Sequence, residues 1–222
     1  MKKLAFVVLF LVSLAIPLLL YASALGLGPD VYGASVAFGI FAYVLVADQF
    51  FLAARPAFLS ALIGPKGMTK LHASIPVLIL AAAIAHRTLK VAAGFSLVGT
   101  QAALGGLALS VMLFVIIFAV LFMANTVWMR LKPVSALRDR VYRLTGLTYK
   151  GARVVHNLVL LAALALAFHV LIASTGDFAA NPIGLFWMIG WMVLSLGLYL
   201  RYRLNGRRGG LAVAKTTHSS NA

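Results

Sequence analysis

The stretch HNLVLLAALALAFH, residues 156–169, is the most informative part of the sequence. Its twelve internal residues carry no charge and only one polar side chain, that of Asn157. A run this apolar has no polar face to present to water, so it is typical of a helix surrounded by hydrocarbon. A histidine costs free energy inside a bilayer and often marks a functional position there. The two histidines that close the stretch therefore require an explanation.

Composition extends this interpretation to the whole chain. Of its 222 residues, 63% are hydrophobic and 10% are charged, and the mean hydropathy is +1.03. A membrane-spanning helix needs about 20 apolar residues, and six stretches reach that length: about 4–25, 33–54, 71–89, 102–127, 154–173 and 182–202. The sequence therefore predicts an all-α polytopic membrane protein, a bundle of six transmembrane helices in one domain, 1–204. Residues 205–222 are expected to form a flexible cytoplasmic tail.

The N-terminus allows a second interpretation. The residues MKK, a long apolar run and the triplet ASA at 22–24 together resemble a secretory signal with a small-residue cleavage site. The apolar run is long for a signal peptide, so we expect an uncleaved first span. The chain contains no cysteine, which excludes disulfides, iron–sulfur clusters and covalently attached heme.

The formal net charge of +15 is distributed unevenly between the two ends of the predicted bundle. Of the 19 Lys and Arg residues, 17 fall on one side, while the other side has only Arg87 and Lys90, with Asp30 and Asp177 in its loops. The positive-inside rule therefore places both termini in the cytoplasm. The basic excess is explained by orientation and by contact with membrane lipids, and we expect no nucleic acid as a partner.

Four of the five histidines lie inside predicted spans. His72 and His86 are fourteen residues apart in the third span, and His156 and His169 are thirteen apart in the fifth. At about 1.5 Å of rise per residue, each helix has one imidazole near each edge of the hydrocarbon. Because both spans run in the same direction, we expect His72 beside His156 near the inner face and His86 beside His169 near the outer face.

Two imidazoles at one depth favour a metal held between neighbouring helices, because neutral imidazole is a common ligand of iron, zinc and copper. Zinc needs three or four protein ligands, whereas the spans contain no Glu, no Cys and one Asp, Asp48. Heme supplies four nitrogens of its own and needs only two axial ligands, so heme is favoured. For any single histidine, a packed hydrogen-bonded residue or a proton relay is the alternative.

Four basic residues lie within four positions of a paired histidine: Lys70, Arg87, Lys90 and Arg153. They are expected to bind heme propionates, and snorkelling to the membrane interface accounts for each of them equally well. Arg87 and Lys90 are also expected to attract an anionic electron acceptor on the outer side.

The thirteen-residue spacing does not fit a straight helix. At about 100° per residue, fourteen residues return to within about 40° of the same face, whereas thirteen miss it by about 140°. We therefore expect the fifth helix to bulge locally, to lean, or to present its histidines from different sides. Pro76 can bend the third helix. Each imidazole is expected to donate its free N–H to the carbonyl four residues earlier, that of Met68, Ala82, Ala152 or Ala165.

This pattern resembles the ferric reductase-like transmembrane domain of NADPH oxidases, ferric reductases and the heme-bearing membrane subunit of the bacterial periplasmic methionine sulfoxide reductase system. The resemblance rests on His72 and His86 in HASIPVLILAAAIAH and on His156 and His169 in HNLVLLAALALAFH, and it covers roughly residues 33–204. It implies two b-type hemes bound by these four histidines. It also implies electron transfer from a cytoplasmic flavin donor to an acceptor outside, with the chain as the membrane heme subunit of an oxidoreductase.

One feature departs from that family. Oxidases and ferric reductases usually continue into flavin- and nicotinamide-binding domains, whereas this sequence has about 20 residues after its last span and no G-x-G-x-x-G between a strand and a helix. It is therefore more similar to the stand-alone bacterial members, which implies the bacterial inner membrane and a periplasmic or extracellular acceptor. The flavin is expected on a separate cytoplasmic flavoprotein reductase, or bound loosely.

The loop 128–153 offers a surface for such a donor. Val134, Leu137, Val141 and Leu144 recur at three- and four-residue steps with arginines between them, a pattern typical of an amphipathic helix on a membrane surface. Anchoring to lipid is its expected use, and a partner would meet the same positive face.

Two other functions stay open. A quinone-linked cytochrome b subunit of a respiratory complex also holds two bis-histidine hemes between two helices, usually on the second and fourth spans of a four-helix core. A non-redox transporter or assembly factor would use the histidines as proton relays. Bound heme separates both redox functions from the last one.

Overall fold

The computed structural model describes residues 2–123, 132–146, 148–173 and 178–219. Side chains are described as far as Asn205, except that of Val134. This described part leaves out the predicted end of the fourth span at 124–127, the loop residue Asp177 and the side chains of the predicted tail beyond Asn205.

The described residues form eight helices: α1 (Lys2–Leu25), α2 (Val31–Ala54), α3 (Ala57–Ala92), α4 (Thr100–Phe122), α5 (Lys132–Thr145), α6 (Tyr149–His156), α7 (Val159–Leu171) and α8 (Pro182–Ser219). Six segments are long and apolar enough to cross a membrane: Lys2–Leu25, Val31–Ala54, Ala57–Ala92, Thr100–Phe122, Tyr149–Leu171 and Pro182–Asn205. The fifth of these segments consists of α6 and α7. No strand occurs in the described residues, so the predicted all-α bundle with six membrane-length helices is confirmed.

The central helix is α2, which packs against α1, α3 and α8. In the most apolar part of α2, 67% of the residues are buried, compared with at most 28% in any of the other five segments. The remaining helices therefore expose apolar side chains around the outside, as expected where lipid and not water is the solvent. On the other side of the bundle, α4 packs against α7.

The long helix α3 contains one break. The dihedral angles of Gly64 (φ 71°, ψ 164°) are not helical, and from Pro65 the helix continues to Ala92. Proline is favoured at the first position of a helix because its missing N–H is not needed there. The third span therefore starts earlier than predicted, and it has a break at Gly64, whereas the backbone at Pro76 stays helical.

Two further differences concern α5 and α8. The predicted amphipathic helix is present as α5, and the Tyr142 hydroxyl fastens it to the end of α4 by donating to the Phe122 carbonyl at 2.8 Å. Leu137 and Leu144 of its apolar face are exposed, as a surface helix that contacts lipid requires. The last helix, α8, runs to Ser219 and so continues through most of the segment predicted as a tail.

Candidate functional site

The structure brings the four histidines together in the two predicted pairs. His72 of α3 lies beside His156 at the end of α6, with ring centroids 6.2 Å apart and ring planes at 72°. His86 of α3 lies beside His169 of α7, with ring centroids 6.3 Å apart and ring planes at 87°. We call these the His72 pair and the His86 pair. Fourteen helical residues place the two pairs about 20 Å apart along α3.

A tightly wound break between α6 and α7 accommodates the thirteen-residue spacing. The N–H groups of Asn157, Leu158, Leu160 and Leu161 each donate to the carbonyl three residues earlier, as in a 3₁₀-helix. A 3₁₀ step turns the chain by about 120° instead of about 100°, so four such steps add about 80°. The angle by which His156 and His169 miss the same face of the helix therefore falls from about 140° to about 60°. The predicted irregularity is therefore local, and it is an overwound segment rather than a bulge.

The imidazole N–H groups find different acceptors from those predicted. The Nδ1 atom of His86 lies 2.7 Å from the carbonyl oxygen of Ser35 in α2, and that of His169 lies 2.8 Å from the carbonyl oxygen of Gln101 in α4. A carbonyl only accepts, so each Nδ1 carries the proton and each Nε2 keeps a free lone pair. The prediction of acceptors four residues earlier was wrong, because the rings reach a neighbouring helix whereas the carbonyls of their own helix already serve its backbone.

The Nδ1 atoms of His72 and His156 are buried and have no hydrogen-bond partner among the described residues. Met68 and Ala152 therefore do not act as their acceptors either. The His72 ring faces the backbone of Gln49 in α2, and both polar atoms of the Gln49 side chain are also buried without a partner in the described part of the chain. The His72 pair is thus less tightly fixed than the His86 pair.

Two glycines make room for the His86 pair. A Cβ atom on Gly39 of α2 would lie 2.8 Å from Nδ1 and 2.9 Å from Cε1 of His86. A Cβ atom on Gly105 of α4 would lie 3.0 Å from Cε1 and 3.1 Å from Nδ1 of His169. Any side chain larger than hydrogen would push these rings away. Sequence reasoning missed both glycines, because a glycine in a helix has many uses and its contacts cannot be read from the sequence.

A cavity of about 210 Å³ surrounds the His86 pair. Both histidines line it, together with mainly apolar residues of the surrounding helices. The buried tyrosines Tyr21 and Tyr43 also line it, and their hydroxyl groups have no partner among the described residues. An apolar space with a few polar groups is suited to binding an organic molecule.

The four predicted basic residues divide into two kinds. Arg87 and Lys90 line the cavity, and the Lys90 ammonium lies 4.4 Å from the ring centroid of Tyr32 and 4.0 Å from that of Phe95. Lys70 and Arg153 are exposed, and within the described residues no contact joins either of them to a paired histidine.

Two other arginines lie near the His72 pair, and sequence reasoning missed both. Arg55 is close enough to His72, and Arg203 to His156, for their charges to interact. Arg203 is held by hydrogen bonds from its Nη1 atom to the Asn157 side-chain oxygen at 2.6 Å and to the Tyr199 hydroxyl at 3.1 Å. Arg55 directly follows α2 and Arg203 belongs to α8, so neither is close in sequence to the histidine that it approaches, and chain spacing gave no signal.

The donor set limits what each pair can bind. Within the described residues there is no group of three or more His, Cys, Asp or Glu side chains that could hold a metal ion. Each pair therefore offers two nitrogen donors, which suits a metal that arrives with its other ligands already in place. Searches of protein-family models, curated proteins and solved structures find no match to this chain.

Proposed function

We propose that this chain is a transmembrane cytochrome b that binds one b-type heme at each histidine pair and carries electrons across the membrane. The observation that carries the proposal is the spacing within the pairs. Two imidazole rings at this separation are too far apart to touch each other and would leave room for one metal ion between a nitrogen of each ring. The observed distances are 6.2 Å and 6.3 Å.

Heme fits the residues that are present. Each pair would hold a heme by two imidazole nitrogens, and the Nδ1–H groups of His86 and His169 already donate to backbone carbonyls, which leaves each Nε2 atom free to ligate. The glycines beside these rings and the cavity around them leave space for a flat ligand. When bound, heme iron supplies the one-electron chemistry.

The protein supplies position and charge. α3 and the segment α6–α7 hold the two pairs at different depths, so that charge can cross where lipid alone would insulate. Arg87 and Lys90 beside the His86 pair, and Arg55 and Arg203 beside the His72 pair, are suited to pair with heme carboxylates. The cations at the His86 pair are also suited to attract an anionic acceptor.

The asymmetry of charge supports an orientation with both termini in the cytoplasm of a bacterial inner membrane. Electrons would then enter at the His72 pair from a cytoplasmic flavoprotein reductase, which supplies the flavin, and leave at the His86 pair to an acceptor outside. The basic helix α5 lies at the end where the donor docks, and its exposed leucines rest on lipid.

The test is the heme content of the purified chain. We expect two b-type hemes per chain in a reduced-minus-oxidised spectrum, with His169→Ala keeping only the heme at the His72 pair. His218→Ala serves as the matched control, because His218 lies outside the six spans, and it should keep both hemes. A colourless wild-type protein would refute the proposal.

A further inference from the structure

Two short helical segments contact His86 and His169 in the same way. Each segment has a carbonyl that accepts from Nδ1 of the histidine, and a glycine four residues later against the same ring. The first segment is Ser35–Gly39 in α2 and the second is Gln101–Gly105 in α4. Their sequences, SVAFG and QAALG, share alanine at the third position, a large apolar residue at the fourth and glycine at the fifth.

The contacts are equivalent atom by atom. In both cases the ring edge formed by Nδ1 and Cε1 faces the glycine, at distances from an added Cβ of 2.8 and 2.9 Å for His86 and of 3.1 and 3.0 Å for His169. The carbonyl fixes the tautomer, and the glycine lets the backbone approach the flat edge of the ring. Together they leave each imidazole one orientation.

We infer that these two segments are positioning devices that hold the imidazole planes of the His86 pair nearly perpendicular, at 87°, for axial ligation. The inference rests on the proposed function. Ser35, Gly39, Gln101 and Gly105 act through the histidines. In the His72 pair neither Nδ1 atom makes such a hydrogen bond to the described residues, and the His72 ring only faces the backbone of Gln49.

Not every helical glycine has this role. Gly190 and Gly197 in α8 have no atom within 4 Å of an added Cβ. Replacing them by alanine changes the same chemical group in the same kind of backbone without touching a histidine. They are therefore matched controls for Gly39 and Gly105.

The experiment compares Gly39→Ala and Gly105→Ala with Gly190→Ala and Gly197→Ala. Perpendicular axial imidazoles give a ferric low-spin heme a larger maximum g value than parallel ones, so the electron paramagnetic resonance spectrum reports ring orientation directly. We expect Gly39→Ala either to halve the heme content or to lower the maximum g value of one heme, with the other heme unchanged. Gly105→Ala should act on the same heme, and the controls should resemble wild type.

Two hemes with unaltered spectra in both Gly39→Ala and Gly105→Ala would overturn the inference while leaving the proposed function intact. If wild type bound no heme, the proposed function would fail separately. Nitrogen-15 NMR of labelled histidines would then decide the inference: fixed Nδ1–H tautomers at His86 and His169, lost in the glycine variants, support it, and freely exchanging tautomers exclude it.

Discussion

Asp48 joins three helices through one buried carboxylate. It belongs to α2, and its Oδ2 atom accepts a hydrogen bond from the Ser13 hydroxyl of α1 at 3.1 Å. Its Oδ1 atom accepts one from the indole N–H of Trp191 of α8 at 2.8 Å. A carboxylate that is only 5% exposed is tolerated in an apolar bundle because both oxygens have partners.

We expect Asp48→Ala to lower the free energy of unfolding by about 1–3 kcal/mol, because the Trp191 N–H loses its acceptor. Asp48→Asn keeps an acceptor oxygen for Trp191 and should be less destabilising. Unfolding in detergent, followed by circular dichroism, measures both variants. Equal stability of the alanine variant and wild type would show that the three helices do not depend on this contact.

Arg87 and Arg153 compare a half-buried charge with an exposed one. Arg87 lines the cavity around the His86 pair, whereas Arg153 is exposed. We expect Arg87→Gln to lower the midpoint potential of the heme at the His86 pair by tens of millivolts, because a nearby cation favours the added electron. A redox titration measures the change, and Arg153→Gln is the control. The same shift in both variants would mean that position relative to the cavity is unimportant.

At this scale the sequence predicted which histidines meet but not what holds them. The pairing follows from helical rise and a common direction of two spans, both of which are readable along the chain. The Ser35 and Gln101 carbonyls, 51 and 68 residues away from their histidines, are backbone atoms whose position depends on packing between helices. No residue type identifies them.

Two breaks in the helices determine how the histidines are presented. The break between α6 and α7 reduces the angular mismatch of the thirteen-residue spacing. The break at Gly64 precedes the stretch of α3 that carries both of its histidines. The sequence predicted an irregularity in the fifth span from the angular mismatch alone. It did not predict the one at Gly64, because the residues around it are outside the apolar run that defined the span.

We expect Gly64→Ala to lower the free energy of unfolding by about 1–3 kcal/mol, because a residue with a Cβ is strained at those dihedral angles. The control is Gly197→Ala, in helical backbone with open space around the new methyl group. It should stabilise the protein by about 0.5–1 kcal/mol through helix propensity. The two changes in stability should therefore have opposite signs in the same unfolding assay. If Gly64→Ala and Gly197→Ala were both destabilised, the bundle would require glycine at both positions, and the loss at Gly64 could not be assigned to the break.

On the scale of the whole molecule, the number of membrane-length segments and the fold class were predictable because lipid imposes length and composition on every crossing segment. Which end of the bundle faces the cytoplasm stays a prediction from charge. The loop 93–99 between α3 and α4 has no charged residue, whereas α5 at the other end carries several arginines. The cavity was not predictable, because it is enclosed by residues from helices that are distant in the sequence.

The orientation of the bundle has a direct test, because the chain has no cysteine of its own. Val98 is 88% exposed in the loop 93–99, and Ala136 is exposed on α5. We expect a membrane-impermeant maleimide to label Val98→Cys in intact spheroplasts, since the positive-inside rule places that loop outside. Ala136→Cys should be labelled only after the membrane is permeabilised, which makes each variant the control for the other. The reverse pattern would place the His72 pair at the outer face, and the donor and acceptor sides of the proposed electron path would have to be exchanged.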